Sequence, residues 1–325
     1  MTASYLTLAE YSQFLERDGK LLQSGIVDIL RKESFLLDKM QFPTINALKA
    51  KSARVKTLPT LQNRNLNAAY SHSVGDIEML EENAYLFGGR VQYDHQLENG
   101  DGLITDPAAW NVKMYATSLA YGWNDDVINN TPSANTKSIV GLRYRMARDF
   151  SSQILDASAL DISSDATTLS ANFNTLLDKV QQAIYSLREH TCDAILCSDT
   201  VKLRLESAVR QLGLYATTQD SFGRTITTWG QNGPMILDMG YKADQSTKIM
   251  ADDEGATGVP TGSAGKSSMF FVKFGAEFLT GFQKKPMSTF EWQQGVLKYV
   301  EMDWAAGIAI TDPRSVAWLY NIQAL

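Results

Sequence analysis

The sequence predicts an α+β fold, and three observations carry that prediction. From Val91 the run VQYDHQLE alternates, with Val91, Tyr93, His95 and Leu97 on one face and Gln92, Asp94, Gln96 and Glu98 on the other. It runs into Asn99-Gly100-Asp101-Gly102, and these residue types supply the positive φ angles of a tight reversal. Further on, two stretches repeat at three and four: Ile139, Leu142, Met146, Phe150, Ile154 and Ala157, then Leu169, Phe173, Leu176, Val180, Ile184 and Leu187. That is the helical period. Beyond Gly213 the chain is strand-rich, with SSMFFVKFGAEFLTGF and VLKYVEMDWAAGIAI, and the whole reads as α+β, a compact central region with an arm and a hairpin projecting from it.

Taken in order, residues 1–69 begin with two helical stretches. Thr7 and Glu10 have the spacing of a capping box. Ile26, Ile29, Leu30 and Leu37 form an apolar stripe on GIVDILRKESFLLDKM. After Pro43 the period is lost and the chain turns basic, with Lys49, Lys51, Arg54, Lys56 and Arg64 and no acid from Asn46 through Ser71. This reads as an extended arm. From Tyr70 to Asp106 the sign reverses: Asp76, Glu78, Glu81, Glu82, Asp94, Glu98, Asp101 and Asp106 face Arg90 alone.

The segment AAWNVKMYATSLAYGW has two readings. Asp106-Pro107 suits a helix start, whereas Trp110, Val112 and Met114 share one face of a strand. The strand is preferred, because it gives VQYDHQL a partner of matching length. The stripe from Ile139 then predicts one long helix to about Leu160. A second helix follows Ser163-Ser164-Asp165, CDAILC makes a short strand, and a third helix capped by Ser198 or Asp199 carries Val201, Leu205, Val209 and Leu212 and stops at Gly213.

The composition excludes several classes. With 325 residues, 44% apolar, the chain buries one or two sizeable cores. A net charge of −6 argues against a dedicated nucleic-acid binder, which needs a basic face for phosphates. Cys192 and Cys197, the two cysteines, read as small buried hydrophobes in a reducing compartment. The first residues lack the basic start and apolar run of a signal peptide. No uncharged apolar stretch reaches the ~20 residues that span a bilayer. A soluble protein made in the cytoplasm is expected.

The candidate chemical motifs fail one by one. In GVPTGSAGKS, Gly265-Lys266-Ser267 matches the end of a phosphate loop, but Pro260 stands where the motif needs glycine, which leaves a surface loop. Asp252, Asp253 and Glu254 lack the spacing of a calcium loop and read as a solvated acidic turn. His72, His95 and His190 are scattered, and no strand-turn-nucleophile signature such as G-x-S-x-G is present. No catalytic, cofactor-binding or metal-ligating residue is assigned, and the chain reads as a non-enzyme. Among the aromatics, Trp123 in AYGWNDDVINN is the candidate interface anchor.

The opposed charge blocks point to self-association. A basic extended arm and an acidic projecting hairpin are costly to order without a partner. The arm of one copy is therefore expected against the hairpin of another, a heterologous contact that closes into rings or propagates into a lattice. Lys49, Lys51, Arg54, Lys56 and Arg64 on the arm, Arg90, Asp94, Glu98 and Asp101 on the hairpin, and Trp123 are the candidate intersubunit residues.

The order of elements, with AYGWNDDVINNTPSANTKSIVGLRYRMARDF at the hairpin-to-helix junction and VEMDWAAGIAITDPRSVAWLYNI at the end, resembles the major capsid proteins of tailed double-stranded DNA phages, which share the Hong Kong 97-type fold. The resemblance implies an N-arm over 1–69, an E-loop hairpin over 70–120, and a peripheral domain over 121–164 with its spine helix at about 134–160. It further implies an axial domain over 165–290 and closing strands over 291–325. It implies a shell of hexamers and pentamers built through a procapsid, enclosing DNA without sequence-specific binding and found in the virion after assembly in the host bacterial cytoplasm. A portal and decoration proteins are the implied partners. No lysine lies between Lys56 and Lys113, so E-loop cross-linking through lysine is not expected. A separate scaffolding protein is expected, because the residues before the hairpin already read as the arm. An encapsulin-like compartment shell is the alternative within the fold, and an enzyme of unrecognised type, with the loop near Lys266 as a lid, the alternative outside it.

Overall fold

The computed structural model describes residues 7–94, 107–163, 166–211, 213, 215–255, 258 and 265–324. Helices α1 (Leu8–Arg17) and α2 (Leu21–Glu33) and the short α3 (Phe35–Lys39) open the chain. The Thr7–Glu10 capping box forms as its spacing predicts, with both reciprocal hydrogen bonds present. The stripe of Ile26, Leu30 and Leu37 does not wait for a neighbour. All three are buried in this chain's own core, because α2 packs across the later helix α4 (Pro107–Asn129).

The arm after Pro43 becomes a strand, β1 (Lys49–Thr57), paired antiparallel with β2 (Asp76–Asn83). Lys49, Lys51 and Arg54 of the basic block thus lie on one leg, and Asp76, Glu78, Glu81 and Glu82 of the acidic block on the other, of one hairpin within one chain. The expected arm-to-neighbour pairing is therefore met within the subunit for these residues: the connection over 58–75 is long, but loop-closure entropy grows only slowly with length, so blocks of opposite charge on one chain still meet each other. Strand β3 (Tyr85–Asp94) alternates between half-buried and exposed positions up to Gln92, as the period of two requires. Its antiparallel partner is β11 (Leu297–Ile310), with Arg90 opposite Glu301. The proposed turn at 99–102, with Glu98 and Asp101, lies outside the described residues.

Residues 107–129 form one 23-residue helix, not a returning strand. Val112, Ala116, Ala120, Trp123 and Val127 are buried, while Trp110 and Met114 of the strand reading are exposed. Steps of four, four, three and four decide for the helix once the pattern is followed past Trp123, and Pro107 occupies a first-turn position where its missing N–H costs nothing. The long helix expected at 134–160 is broken up: α5 covers only Leu142–Asp149, and β4 (Ile154–Asp161) follows. Ile154 and Ala157 continue the stripe numerically, but they sit on a strand, paired in parallel with β12 (Val316–Gln323).

The expected elements of the middle region form as α6 (Ala166–Ser186), β5 (Ala194–Cys197) and α7 (Asp199–Gln211). With β6 (Tyr215–Gln219), β7 (Thr225–Trp229), β8 (Met235–Asp238) and β9 (Lys266–Val272), they build a seven-stranded mixed sheet in the order β4-β12-β9-β5-β8-β7-β6. Alternation sends Ile195, Met269, Phe271 and Leu319 toward Leu176, Val180, Val201 and Leu205 of α6 and α7. Leu196, Phe270, Val272 and Trp318 face the other core, shared with α2 and α4. A three-stranded sheet, β10 (Leu279–Gln294), β11 and β3, completes that second core. Both cysteines are free; Cys197 is fully buried and Cys192 partly so. Burial pushes the Cys192 thiol up to about 12, the behaviour of a packed and unreactive thiol.

Candidate assembly surfaces

Directly opposed residues of an antiparallel pair share a face, and this sorts the β1–β2 hairpin into two sides. On the inner side, Glu82 accepts from the buried Arg145 of α5 at 2.5 Å, and Arg145 also donates to the Val140 carbonyl at 2.8 Å. Arg54 pairs with Glu78 and lies over the Phe150 ring at 5.7 Å. The Arg145–Glu82 pair and the contact of Arg54 with Phe150 therefore fasten the hairpin to α5 and its C-cap, while Arg54–Glu78 ties the two strands together. On the outer side, Lys51 and Lys49 reach Glu81 at 2.8 and 3.6 Å, all three exposed. The hydrogen bond and charge of Lys51 lower the Glu81 pKa, and those of Glu81 raise that of Lys51. Fully exposed pairs of this kind are screened by solvent and contribute little.

Toward the tip the outer side changes character. Ile77 and Met79 are 64% and 63% exposed. Beyond them Leu58, Leu61, Leu66, Tyr70 and Val74 also stand in solvent. The connection is nonetheless laced together: Thr60 N–H donates to Ser73 Oγ at 2.8 Å, Ser71 Oγ to Gln62 Oε1 at 2.6 Å, and Arg64 to the Ala68 carbonyl at 3.2 Å while lying over Tyr70. Several large apolar side chains exposed within one hairpin make it a candidate interaction surface.

A second surface is the outward face of the three-stranded sheet. Arg90 donates twice to Glu301, at 2.9 and 3.1 Å, and lies over Trp292 at 4.9 Å and Tyr299 at 5.7 Å. Trp292 and Tyr299 stack at 5.2 Å, with Phe290 and Leu86 exposed on the same face. Near the start of the chain, Phe14, Leu21 and Leu22 are exposed on α1 and α2.

The ten candidate contact residues are therefore not one cluster. Lys49, Lys51 and Arg54 pair within the hairpin, and Arg64 sits at its tip. Arg90 belongs to the sheet face, and Asp94 stands opposite Leu297 at the end of β3. The side chain of Lys56, like Glu98 and Asp101, lies outside the described residues. Trp123 is corrected: at 2% exposure it packs against Phe42, Phe87 and Trp304 at 4.9–5.9 Å in the subunit core, with no surface to offer a neighbour. The exposed leucines at 58, 61 and 66 were missed by the sequence reading. Their signal, apolar residues in a stretch with no period, was present but overshadowed by the charges.

The motifs set aside on the sequence also find places. Lys266 donates to Asn321 Oδ1 at 2.6 Å, and so is a structural lysine at the start of β9. The acidic turn is not solvated at two of its three positions. Asp252 is buried and accepts from Ser198 at 2.5 Å and from Lys248 and Thr200 at 2.6 and 2.7 Å. Glu254 is fully buried, paired with Arg143 at 2.7 Å, and burial raises its pKa against that pairing. Among the described residues no group of three or more His, Cys, Asp or Glu is placed to hold a metal, and no helix is long and apolar enough to cross a membrane.

No family model matches the chain, and no curated protein matches it by sequence. Solved structures do. The SrpI encapsulin of Synechococcus elongatus PCC 7942 superposes with a TM-score of 0.60 at 11% identity, covering 89% of this chain and 88% of that one. The capsid of a native GTA particle gives 0.55 at 12% identity over 88% and 89%. This chain has the Hong Kong 97-type capsid fold. A chain of Mycobacterium phage Bobi superposes equally well, with a TM-score of 0.56 at 11% identity over 88% and 89%. The superpositions thus cover nearly nine-tenths of this chain.

Proposed function

We propose that the protein is a shell subunit, the major capsid protein of a tailed double-stranded DNA phage, whose function is to assemble with copies of itself into an icosahedral container. The observation that carries this reading is the β1–β2 hairpin: an arm fastened near its root by Arg145–Glu82 and braced between its strands by Arg54–Glu78, whose outer side and tip leave Leu58, Leu61, Leu66, Ile77 and Met79 uncovered. A monomer gains nothing from that arm. A neighbouring copy covers it. The arm is the E-loop of this chain, spanning about 49–83, and α4 is its spine helix.

The mechanism differs from a purely electrostatic latch. Charges on the hairpin are spent within the subunit, where they set its angle and stiffness, so the grip on a neighbour comes from apolar burial at the tip. Hexamers and pentamers, a procapsid stage, a separate scaffolding protein, a portal and decoration proteins belong to this proposal, as does residence in the virion after assembly in the host cytoplasm. The acidic net charge of −6 suits a wall that contains DNA without gripping it. No catalytic step is assigned to the chain.

The superposition on an encapsulin supports a second reading, a compartment shell that encloses enzymes. Particles isolated from the native source separate the two. Nuclease-protected double-stranded DNA inside the particle supports the capsid; a protein cargo with no protected DNA overturns it in favour of the compartment.

A further inference from the structure

The outer side of the β1–β2 hairpin carries an oxidisable group, the thioether of Met79. This residue is 63% exposed. It stands opposite Ala53 in the register, with Ile77 and Glu81 two residues away on the same face. The facing strand thus offers it only a methyl group and leaves the side chain open to solvent. Most other described methionines are packed away: Met40, Met250 and Met269 are fully buried, and Met302 is 1% exposed. Met114 of α4, 48% exposed, also stands in solvent.

A methionine suits an apolar contact only in its reduced form. The thioether is flexible and apolar, whereas the sulfoxide is polar and chiral. In the free subunit, the face that a neighbour is to cover is also the face that an oxidant reaches. In the shell the neighbour shields it.

We propose that Met79 is an oxidation switch on assembly: a peroxide converts its thioether to the sulfoxide in the free subunit and so weakens the hairpin contact, and the assembled shell protects it. The inference rests on the shell reading and on apolar burial of the hairpin. A sulfur lone pair attacks one peroxide oxygen, the O–O bond breaks as the S–O bond forms, and hydrogen peroxide is reduced to water while the sulfur is oxidised by two electrons. The new oxygen is a strong acceptor, and in an apolar contact a polar group without a partner is costly. Each subunit presents one such hairpin. A contact weakened about tenfold, 1.4 kcal/mol, therefore raises the protein concentration needed for assembly about tenfold.

The test treats dilute, unassembled protein with hydrogen peroxide and then removes the oxidant with catalase. Peptide mass spectrometry locates the added oxygen, and particle yield is measured against protein concentration. Met79 is expected to gain one oxygen ahead of Met302 and the other buried methionines, with thermal unfolding unchanged and the half-maximal yield moved to about tenfold higher concentration. Met79→Leu keeps the apolar bulk, assembles like the parent and no longer responds to peroxide, while Met114→Leu still responds. In preformed particles Met79 oxidises several-fold more slowly than in free subunits. The inference is overturned if the sulfoxide at Met79 leaves the yield unchanged, if Met79→Leu responds as the parent does, or if Met79 oxidises equally fast in particles and in subunits. In each of those cases untreated protein still forms particles, and the shell reading stands. Untreated protein that forms no particles at any concentration overturns the shell reading and this inference together.

Discussion

Replacing Ile77 and Met79 together by aspartate separates apolar grip from charge pairing on the hairpin. Both side chains are about two-thirds exposed in the subunit, so a neighbour that covers them removes most of their surface from water. Full burial of such a side chain contributes about 1.5–3 kcal/mol, which makes this share roughly 1–2 kcal/mol each and 2–4 kcal/mol per contact. That corresponds to roughly a 30- to 900-fold weaker contact, before the added cost of burying two carboxylates. The variant's thermal unfolding stays within ~0.5 kcal/mol of the parent, as is usual for exposed positions. Assembly, read as the yield of fast-sedimenting particles against protein concentration, collapses. The companion swap Lys51→Glu with Glu81→Lys keeps an exposed, solvent-screened pair that contributes little, so its particle yield is unchanged. Normal yield from the aspartate variant, or loss of yield from the charge swap, refutes the apolar account.

Three further outcomes follow from the subunit itself. Glu82→Ala leaves the buried Arg145 with the Val140 carbonyl alone; removing one partner of such a pair destabilises by ~3 kcal/mol, read as a lower melting temperature and faster amide exchange along β1 and β2. Gly281→Ala places a Cβ 2.4–2.9 Å from the ring of Phe42, which is fully buried; overpacking of this kind costs about 1–3 kcal/mol, measurable by denaturant unfolding. Asp244 accepts from Thr247 and Ser246, and these bonds hold its carboxyl down at about 2. A depressed folded pKa contributes stability that is present above the unfolded value near 3.9 and lost as pH falls through the folded one. Asp244→Asn therefore flattens the stability profile between about pH 4 and pH 2, and a profile as steep as the parent's contradicts this.

The parts of the fold legible in the sequence were those whose period ran cleanly to a capping or stop signal. The helix of Phe173, Leu176, Val180 and Ile184, the strand CDAILC, the helix of Val201 and Leu205, and the Thr7–Glu10 cap all formed as read. The errors arose where a period was followed too far or not far enough. The stripe through Ile139, Leu142, Met146 and Phe150 was extended into Ile154, where Ser151-Ser152-Gln153 ends the helix and β12 offers a sheet partner. The stripe Val112–Val127 reads as a strand only up to Met114 and as a helix beyond it, while the partner of β3, the strand β11, lies some 200 residues away, a separation no local pattern reveals.

The charge blocks were legible as a pair but not as to which chain supplies each member. Complementary strands of one hairpin and complementary surfaces of two copies leave the same trace in a sequence. The register Lys51 opposite Glu81 and Arg54 opposite Glu78 resolves it for the subunit. The same register leaves uncharged residues, Ile77 and Met79, exposed on the outer side of the hairpin. Trp123 teaches a related lesson. An aromatic at a junction reads as an anchor for a partner, yet steps of three and four from Ala116 and Ala120 already placed it on the buried face of α4.

The most direct test of the account is an electron micrograph of the purified protein. Closed shells of uniform diameter, built from this chain alone or with a scaffolding protein, are the predicted result. A small oligomer of fixed size that never closes, at any protein concentration or ionic strength, contradicts it.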